Sequence, residues 1–194
     1  EAHFHGAQER FEQEDESDGL AVVARNLGIL HTYTEELALA ESYFDQALRH
    51  YQQLKDDVNL ARVQLNIANL CRQLGDLEKA ESAGLSAESI LKQTGDPLNL
   101  ARTRHNLGMV YAQSDQPEEA ERCFRQACEV WARRNDTWNL ANTQGEWAQL
   151  YLLEERWAEA ENHLDEAWTL VEKKEGTMYE SLRQEIMERR QTLT

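Results

Sequence analysis

The chain repeats a short phrase every 40 residues, and this period constrains its fold more than any other feature. Asn-Leu-Ala begins at Asn59, Asn99 and Asn139, and Gly19 opens a related phrase one period earlier. An Ala-Glu pair recurs at the same spacing, starting at residues 40, 80, 120 and 160. Self-similarity of this kind is typical of repeat architectures, in which each unit buries its apolar face against its neighbours. The sequence therefore predicts a stack of copies of one structural unit.

Within each period the apolar positions indicate helices. Apolar or small residues recur at intervals of three and four, which marks one face of an α-helix. The columns that repeat at this period begin at Leu27, Gly28, Leu37, Ala40, Phe44 and Ala47. Only 2 prolines occur, and Pro97 and Pro117 both stand where a helix would begin, the position at which proline is best tolerated. An all-α chain is therefore predicted.

This pattern resembles the tetratricopeptide repeat, which has a bulky residue, Leu-Gly, an aromatic residue, then Ala, a second aromatic residue and Ala over two antiparallel helices. The third copy matches it best, through Leu107, Gly108, Tyr111, Ala120, Phe124 and Ala127. The second and fourth copies depart from it at Cys71, Gly84, Ala68 and Ala148. The resemblance implies a right-handed α-solenoid of antiparallel helix pairs. The long copies are similar to those of kinesin light chain and of bacterial regulators of the Rap and MalT types.

The period divides the chain into one solenoid domain with two incomplete ends. Full repeats are expected at 19–58, 59–98, 99–138 and 139–178. Residues 1–18 are expected to form the second helix of a truncated preceding repeat, because Phe4 is in register with Phe44. Residues 179–194 are polar apart from a few apolar positions, which suits a capping helix that covers the last repeat and faces water.

The charge of the chain excludes some classes of partner. Its 36 acidic and 20 basic residues give a net charge of −16, which would repel a nucleic-acid backbone. No apolar stretch approaches the roughly 20 residues that span a bilayer, so no membrane association is expected. The 3 cysteines lack the spacing of a zinc site or a disulfide framework, which favours a cytoplasmic location.

Basic residues are concentrated on the predicted first helices, which line the concave surface in tetratricopeptide folds. Residues 20–33, 60–74, 100–113 and 140–153 contain five arginines and a single acid, Glu146. The arginines are Arg25, Arg62, Arg72, Arg102 and Arg104. This distribution predicts a basic groove, although a solvated helix face could also segregate charge in this way.

Asparagines also recur on these helices, at Asn26, Asn66 and Asn106, with Asn69 and Asn142 nearby. In several peptide-binding members of the family, the asparagine before Leu-Gly bonds the main chain of an extended ligand. The alternative is that these amides bond a neighbouring helix and stabilise stacking. The predicted peptide-binding groove comprises Arg25, Asn26, Arg62, Asn66, Asn69, Arg102, His105, Asn106 and Asn142.

No recognisable catalytic motif is present: the sequence has no Gly-rich phosphate loop, HExxH or GxSxG. Neither enzyme activity nor a metal or cofactor is predicted. The five tryptophans are expected to serve in packing, with Trp147 and Trp157 in core columns.

The function predicted is therefore that of a non-catalytic scaffold for a protein or peptide segment. Arginines beside amides favour an acidic or carboxylate-bearing ligand, since guanidinium groups pair with carboxylates. Two alternatives remain open: a regulatory or sensor domain of a larger signalling or transcription protein, and a self-assembly module.

Overall fold

A computed structural model describes residues 17–193, and its secondary structure is entirely α-helical across those residues. The predicted all-α fold class is confirmed, whereas the half repeat predicted over 1–18 lies almost wholly outside the described part. The helices within this span are α1 (Ser17–Tyr33), α2 (Leu37–Leu54), α3 (Asp57–Gln73), α4 (Leu77–Thr94), α5 (Pro97–Gln113), α6 (Pro117–Arg133), α7 (Thr137–Leu153), α8 (Trp157–Val171) and α9 (Thr177–Gln191). None of these helices is both long and apolar enough to cross a membrane.

The chain divides after Asn106 into two compact units, which we call unit 1 and unit 2. In unit 1, α1 packs on α2 and α3, and α3 packs on α2 and α4. In unit 2, α7 packs on α6, α8 and α9, and α8 also contacts α9. We call α1, α3, α5, α7 and α9 the first helices and α2, α4, α6 and α8 the second helices.

Three of the first helices, α3, α5 and α7, share a capping arrangement that includes the repeated asparagine. The Asp56 carboxylate accepts a hydrogen bond from the Asn59 backbone N–H at 3.0 Å and from its Nδ2 at 2.6 Å. The same two bonds join Asp96 to Asn99 and Asp136 to Asn139. An aspartate at this position satisfies a backbone donor that has no partner inside the helix. The Asn-Leu-Ala phrase therefore marks the starts of α3, α5 and α7.

The turns follow a shorter period of 20 residues. One residue in each of the first seven turns has a positive φ, at Glu35, Lys55, Gly75, Gly95, Asp115, Asn135 and Glu155. Each helix with its turn therefore occupies 20 residues, and two of them make one repeat. This left-handed conformation is a common way for a helix to end.

In repeats one and three, the two helices meet where a glycine faces an aromatic ring. A Cβ atom built on Gly28 would lie 2.6 Å from the Phe44 ring, and one built on Gly108 would lie 2.6 Å from the Phe124 ring. Real Cβ atoms do not approach other atoms so closely, so the glycines allow each ring to pack against the first helix. Both rings are buried.

The repeats that lack this glycine also lack the ring. In repeat four the same columns hold Ala148 and Leu164, which are fully buried in one cluster. In repeat two they hold Ala68 and Gly84, and both residues are buried. A larger residue on the first helix is thus accompanied by a smaller one on the second. The departures of these repeats from the family pattern therefore compensate each other.

The structure corrects one expectation for the tryptophans. Trp147 is buried, with 8% of its surface exposed, but Trp157 is 50% exposed. Trp157 is the first residue of α8 and lies beside a turn, where only part of its side chain can reach the interior. It is therefore not a core residue, although its column is apolar in the sequence.

Replacing Gly108 by Ala should destabilise the chain by about 1–3 kcal/mol, because the added methyl group would overlap the Phe124 ring. Phe124→Leu combined with Gly108→Ala copies the pairing of repeat four and should cost less than the two single changes added together. The free energy of unfolding from denaturant titration measures both effects. Equal stability of Gly108→Ala and the parent, or strict additivity in the double variant, would contradict this packing argument.

Candidate functional site

Two of the predicted groove arginines converge on one asparagine in unit 1. The side chains of Arg25 on α1 and Arg62 on α3 both donate to Asn59 Oδ1, at 3.3 and 3.2 Å. Asn59 can accept both because its own Nδ2 is directed to Asp56. Arg25 is half-buried and ties α1 to α3, whereas Arg62 is exposed. Of the two, Arg62 is better placed to meet a ligand.

The capping aspartates reduce the positive charge around the first-helix arginines. Burial acts to raise the pKa of Asp96, but hydrogen bonds from Asn99 and the charge of Arg62 outweigh it and the pKa is lowered. Arg62 on α3 therefore lies within the electric field of the Asp96 carboxylate, which caps α5. These aspartates, at 56, 96 and 136, stand just before the predicted first-helix ranges and so lie outside the charge balance that predicted a basic groove.

Arg104 is also largely neutralised. Its Nε donates to Glu88 Oε1 at 3.0 Å, and both side chains are 17% exposed. Glu88 belongs to α4 and also pairs with Lys92 at 2.9 Å. Burial opposes ionisation of Glu88, but these two cations hold its pKa below the usual value. Arg104 is therefore occupied within unit 1.

Amide side chains line a pocket of about 210 Å³ between α1 and α3 in unit 1. We call it the amide pocket; it is lined by Ile29, Thr32, Tyr33, Phe44, Asn66, Asn69 and Gln73. Asn69 Oδ1 accepts a hydrogen bond from Arg72 at 3.1 Å, which leaves its NH2 group as a donor. Tyr33 is 83% exposed at the edge. The pocket thus offers hydrogen-bonding groups beside an apolar floor and an open aromatic ring.

The remaining predicted residues do not line this pocket. Asn26 is half-buried on α1; on α5, Arg102 is exposed and His105 and Asn106 are half-buried. Asn142 is half-buried on α7, in unit 2. Thus the structure brings together Asn66 with Asn69 and Arg25 with Arg62. The other predicted residues lie on α1, α5 and α7, outside the amide pocket.

In unit 2 the asparagine column ends in a carboxylate. Glu146 Oε1 accepts a hydrogen bond from Arg189 on α9 at 2.7 Å, and both side chains are mostly buried. Arg189 lies so close to α7 that a Cβ atom on Gly145 would be 2.8 Å from it. At this position α9 therefore supplies the residue that pairs with Glu146.

Three residues of this region were not predicted from the sequence. Tyr33 and Gln73 line the amide pocket and occupy one column, 40 residues apart, which could have revealed them. Asn59 was recognised only as part of a repeated phrase. Its joint role in the helix cap and the arginine cluster depends on side-chain direction, which the period does not report.

No group of three or more His, Cys, Asp or Glu side chains is placed to hold a metal ion within residues 17–193.

Comparison with known proteins identifies the family. The tetratricopeptide repeat model matches residues 20–93 and 59–133, which together cover more than half of the chain. The chain therefore belongs to the tetratricopeptide repeat family, as the sequence pattern predicts. No curated protein matches it significantly.

Solved structures with the same fold include the relatives expected from the long repeats. BtubC (BKLC) of P. vanneervenii has a TM-score of 0.83 and 18% identity, covering 98% of this chain and 82% of that one. The apo form of RapI has a TM-score of 0.78 and 17% identity, covering 88% and 62%. A kinesin light chain of Podosopora anserina with nearly identical TPR-like repeats has a TM-score of 0.64 and 14% identity, covering 87% and 93%. The predicted similarity to kinesin light chain and Rap-type repeats is confirmed.

Asp96→Ala should lower the free energy of unfolding by about 1 kcal/mol at neutral pH, because α5 loses its cap. The folded-state pKa of Asp96 is depressed from 3.8, so its contribution is complete above that value and is lost as pH falls through the lower folded-state pKa. The difference between variant and parent should therefore shrink in acid. Urea titrations near neutral pH and at about pH 3 measure it, with the exposed Glu161→Ala as control. A difference that does not change with pH would contradict this role.

Proposed function

We propose that unit 1 binds an extended, carboxylate-bearing peptide segment along its first helices. Tetratricopeptide repeats act as protein-interaction scaffolds, and this supports a protein or peptide ligand. The observation that favours the first helices is the amide pocket, where Asn66 and Asn69 lie beside the exposed Tyr33. Cytoplasmic location stays a prediction from the sequence.

Main-chain recognition follows from the chemistry of the amides. A side-chain amide donates and accepts hydrogen bonds at once, as a peptide group does. The NH2 group of Asn69 is left to donate, because its oxygen already accepts from Arg72. Asn66, which lines the same pocket one helical turn earlier, supplies a second amide. Together they would bind an extended backbone of any sequence.

Preference for an acidic ligand rests on fewer arginines than the sequence suggested. Arg104 pairs with Glu88, and Arg25 is half-buried in its contact with Asn59. Arg62 and Arg102 are exposed, and they occupy equivalent positions on α3 and α5, 40 residues apart. Their guanidinium groups can each pair with a ligand carboxylate in a bidentate manner. We assign charge selectivity to these two side chains.

Arg62→Glu with Arg102→Glu should weaken binding of an acidic peptide by about tenfold or more, since each charged hydrogen bond is worth roughly 1.5–3 kcal/mol. The probe is a fluorescein-labelled ten-residue peptide of alternating Glu and Gly, and fluorescence anisotropy gives the dissociation constant. The matched control reverses two exposed arginines of α6, Arg122→Glu with Arg133→Glu. Similar losses in both double variants would show that net charge, rather than this surface, determines affinity.

Asn66→Ala should weaken binding of acidic and uncharged peptides alike, by roughly three- to tenfold, because a neutral hydrogen bond contributes about 0.5–1.5 kcal/mol. The uncharged probe replaces Glu by Gln in the same labelled peptide. Asn162→Ala, at an exposed position of α8, is the control. Unchanged affinity in Asn66→Ala would remove the amide pocket from the proposed site.

A further inference from the structure

A second cavity of unit 1, of about 320 Å³, lies between the second helices α2 and α4 with α3 at its base. We call it the α2–α4 cavity. Its floor is apolar and includes Ile67, Cys71 and Ala83. Its rim carries Glu41, Asp45 and Lys79. About 150 Å³ is enough to hold a benzene ring in a protein, so an aromatic side chain fits this space.

The same positions of unit 2 are filled by aromatic rings. Residues 67, 71 and 83 correspond, 80 residues later, to Trp147, Tyr151 and His163. The His163 ring stacks on Trp147 with centroids 4.3 Å apart, and it lies 5.3 Å from Tyr151. Unit 2 therefore fills with its own rings the space that unit 1 leaves open.

Arginines accompany the rings in unit 2. Arg156 NH1 lies 2.7 Å from Glu121 Oε1, and its guanidinium carbon lies 4.2 Å from the centroid of Tyr151. Arg125 lies 3.7 Å from Glu121 and 5.9 Å from the centroid of the Trp147 ring. Each arginine thus contacts both a carboxylate and an aromatic face, where a cation is attracted by the ring.

Unit 1 keeps the carboxylate and lacks the arginines. Glu41 corresponds to Glu121, while Asp45 and Asp76 stand where unit 2 has Arg125 and Arg156. Asp76 lies 3.5 Å from Lys79, whose ammonium group is the cation of this rim. Glu41 and Asp45 form no ion pair within the described part of the chain. At the positions of Asp45 and Asp76, unit 1 is therefore acidic where unit 2 has arginines.

A hydrogen-bonding amide is retained in both units. In unit 2, Gln144 Oε1 lies 2.5 Å from His163 Nδ1, and Gln144 Nε2 donates to Glu166. Gln64 occupies the corresponding position in unit 1 and lines the α2–α4 cavity. It can accept a hydrogen bond from a ring N–H as Gln144 does.

We infer that the α2–α4 cavity binds an aromatic side chain of a partner peptide that carries arginine next to the ring. The ring lies on the floor at Ile67 and Cys71, and the guanidinium group pairs with Glu41 and Asp45. In unit 1 this partner supplies the ring and the cations that unit 2 provides from its own residues. The site is distinct from the amide pocket and selects ligands of the opposite charge.

The first arm of the experiment uses isothermal titration calorimetry with acetyl-Gly-Arg-Trp-Arg-Gly-amide. We expect saturable 1:1 binding that falls about tenfold or more when Trp is replaced by Ala or both Arg by Glu. The Glu-containing peptide binding as well as the Arg-containing one, or neither binding, would overturn the inference.

The second arm changes the cavity. Glu41→Arg with Asp45→Arg places cations on the rim, and Cys71→Tyr fills the floor as in unit 2; both should reduce affinity about tenfold or more. Glu161→Arg on α8 is the matched control and should leave affinity unchanged. The rim variant changes only exposed residues, so it tests the site even if Cys71→Tyr alters folding. Full affinity in the rim variant, or a dimer in light scattering that the rim variant dissociates, would refute a peptide site.

Discussion

The structure depends on a close contact between the two helices of a repeat. In repeats one, three and four, a small residue on the first helix receives a larger one from the second. Gly28 against Phe44 and Gly108 against Phe124 are the tightest examples. Because the first helix lacks a side chain there, the ring reaches the backbone and fixes the separation of the helices. Capping at Asp56, Asp96 and Asp136 then sets where each following repeat begins. The contact between the helices and the aspartate caps therefore recur with the same 40-residue period.

Variation at positions that the contact does not fix creates the surfaces. The columns of Trp147, Tyr151 and His163 hold aromatic residues in unit 2 and small or aliphatic residues in unit 1. The space is filled in unit 2 and open in unit 1, although the helices of both units have the same register. The repeat therefore supplies a scaffold in which smaller side chains at these positions leave a cavity. In this chain, the α2–α4 cavity arises from differences between the copies rather than from the residues they share.

Much of the fold was predictable because the period is long and regular. Helix positions, the family and the two asparagines of the amide pocket follow from the spacing of apolar and amide residues. The pairing of Arg104 with Glu88 and the exposure of Trp157 did not, because both depend on where a side chain lies relative to a turn or a neighbouring helix. Counting charges helix by helix also omitted the capping aspartates. The two cavities could be located only once the packing was known.

We propose that unit 1 selects ligands by charge, an acidic segment along its first helices and a basic one between α2 and α4. An NMR titration of the ¹⁵N-labelled chain with the Glu-Gly peptide can locate the acidic ligand, because side-chain amide signals report each asparagine separately. We predict that the NH2 signals of Asn66 and Asn69 shift and saturate together, while the backbone signals of α2 and α4 around the α2–α4 cavity stay in place. Shifts confined to those second helices, or no saturable shift in unit 1, would show that the first helices do not bind the acidic peptide.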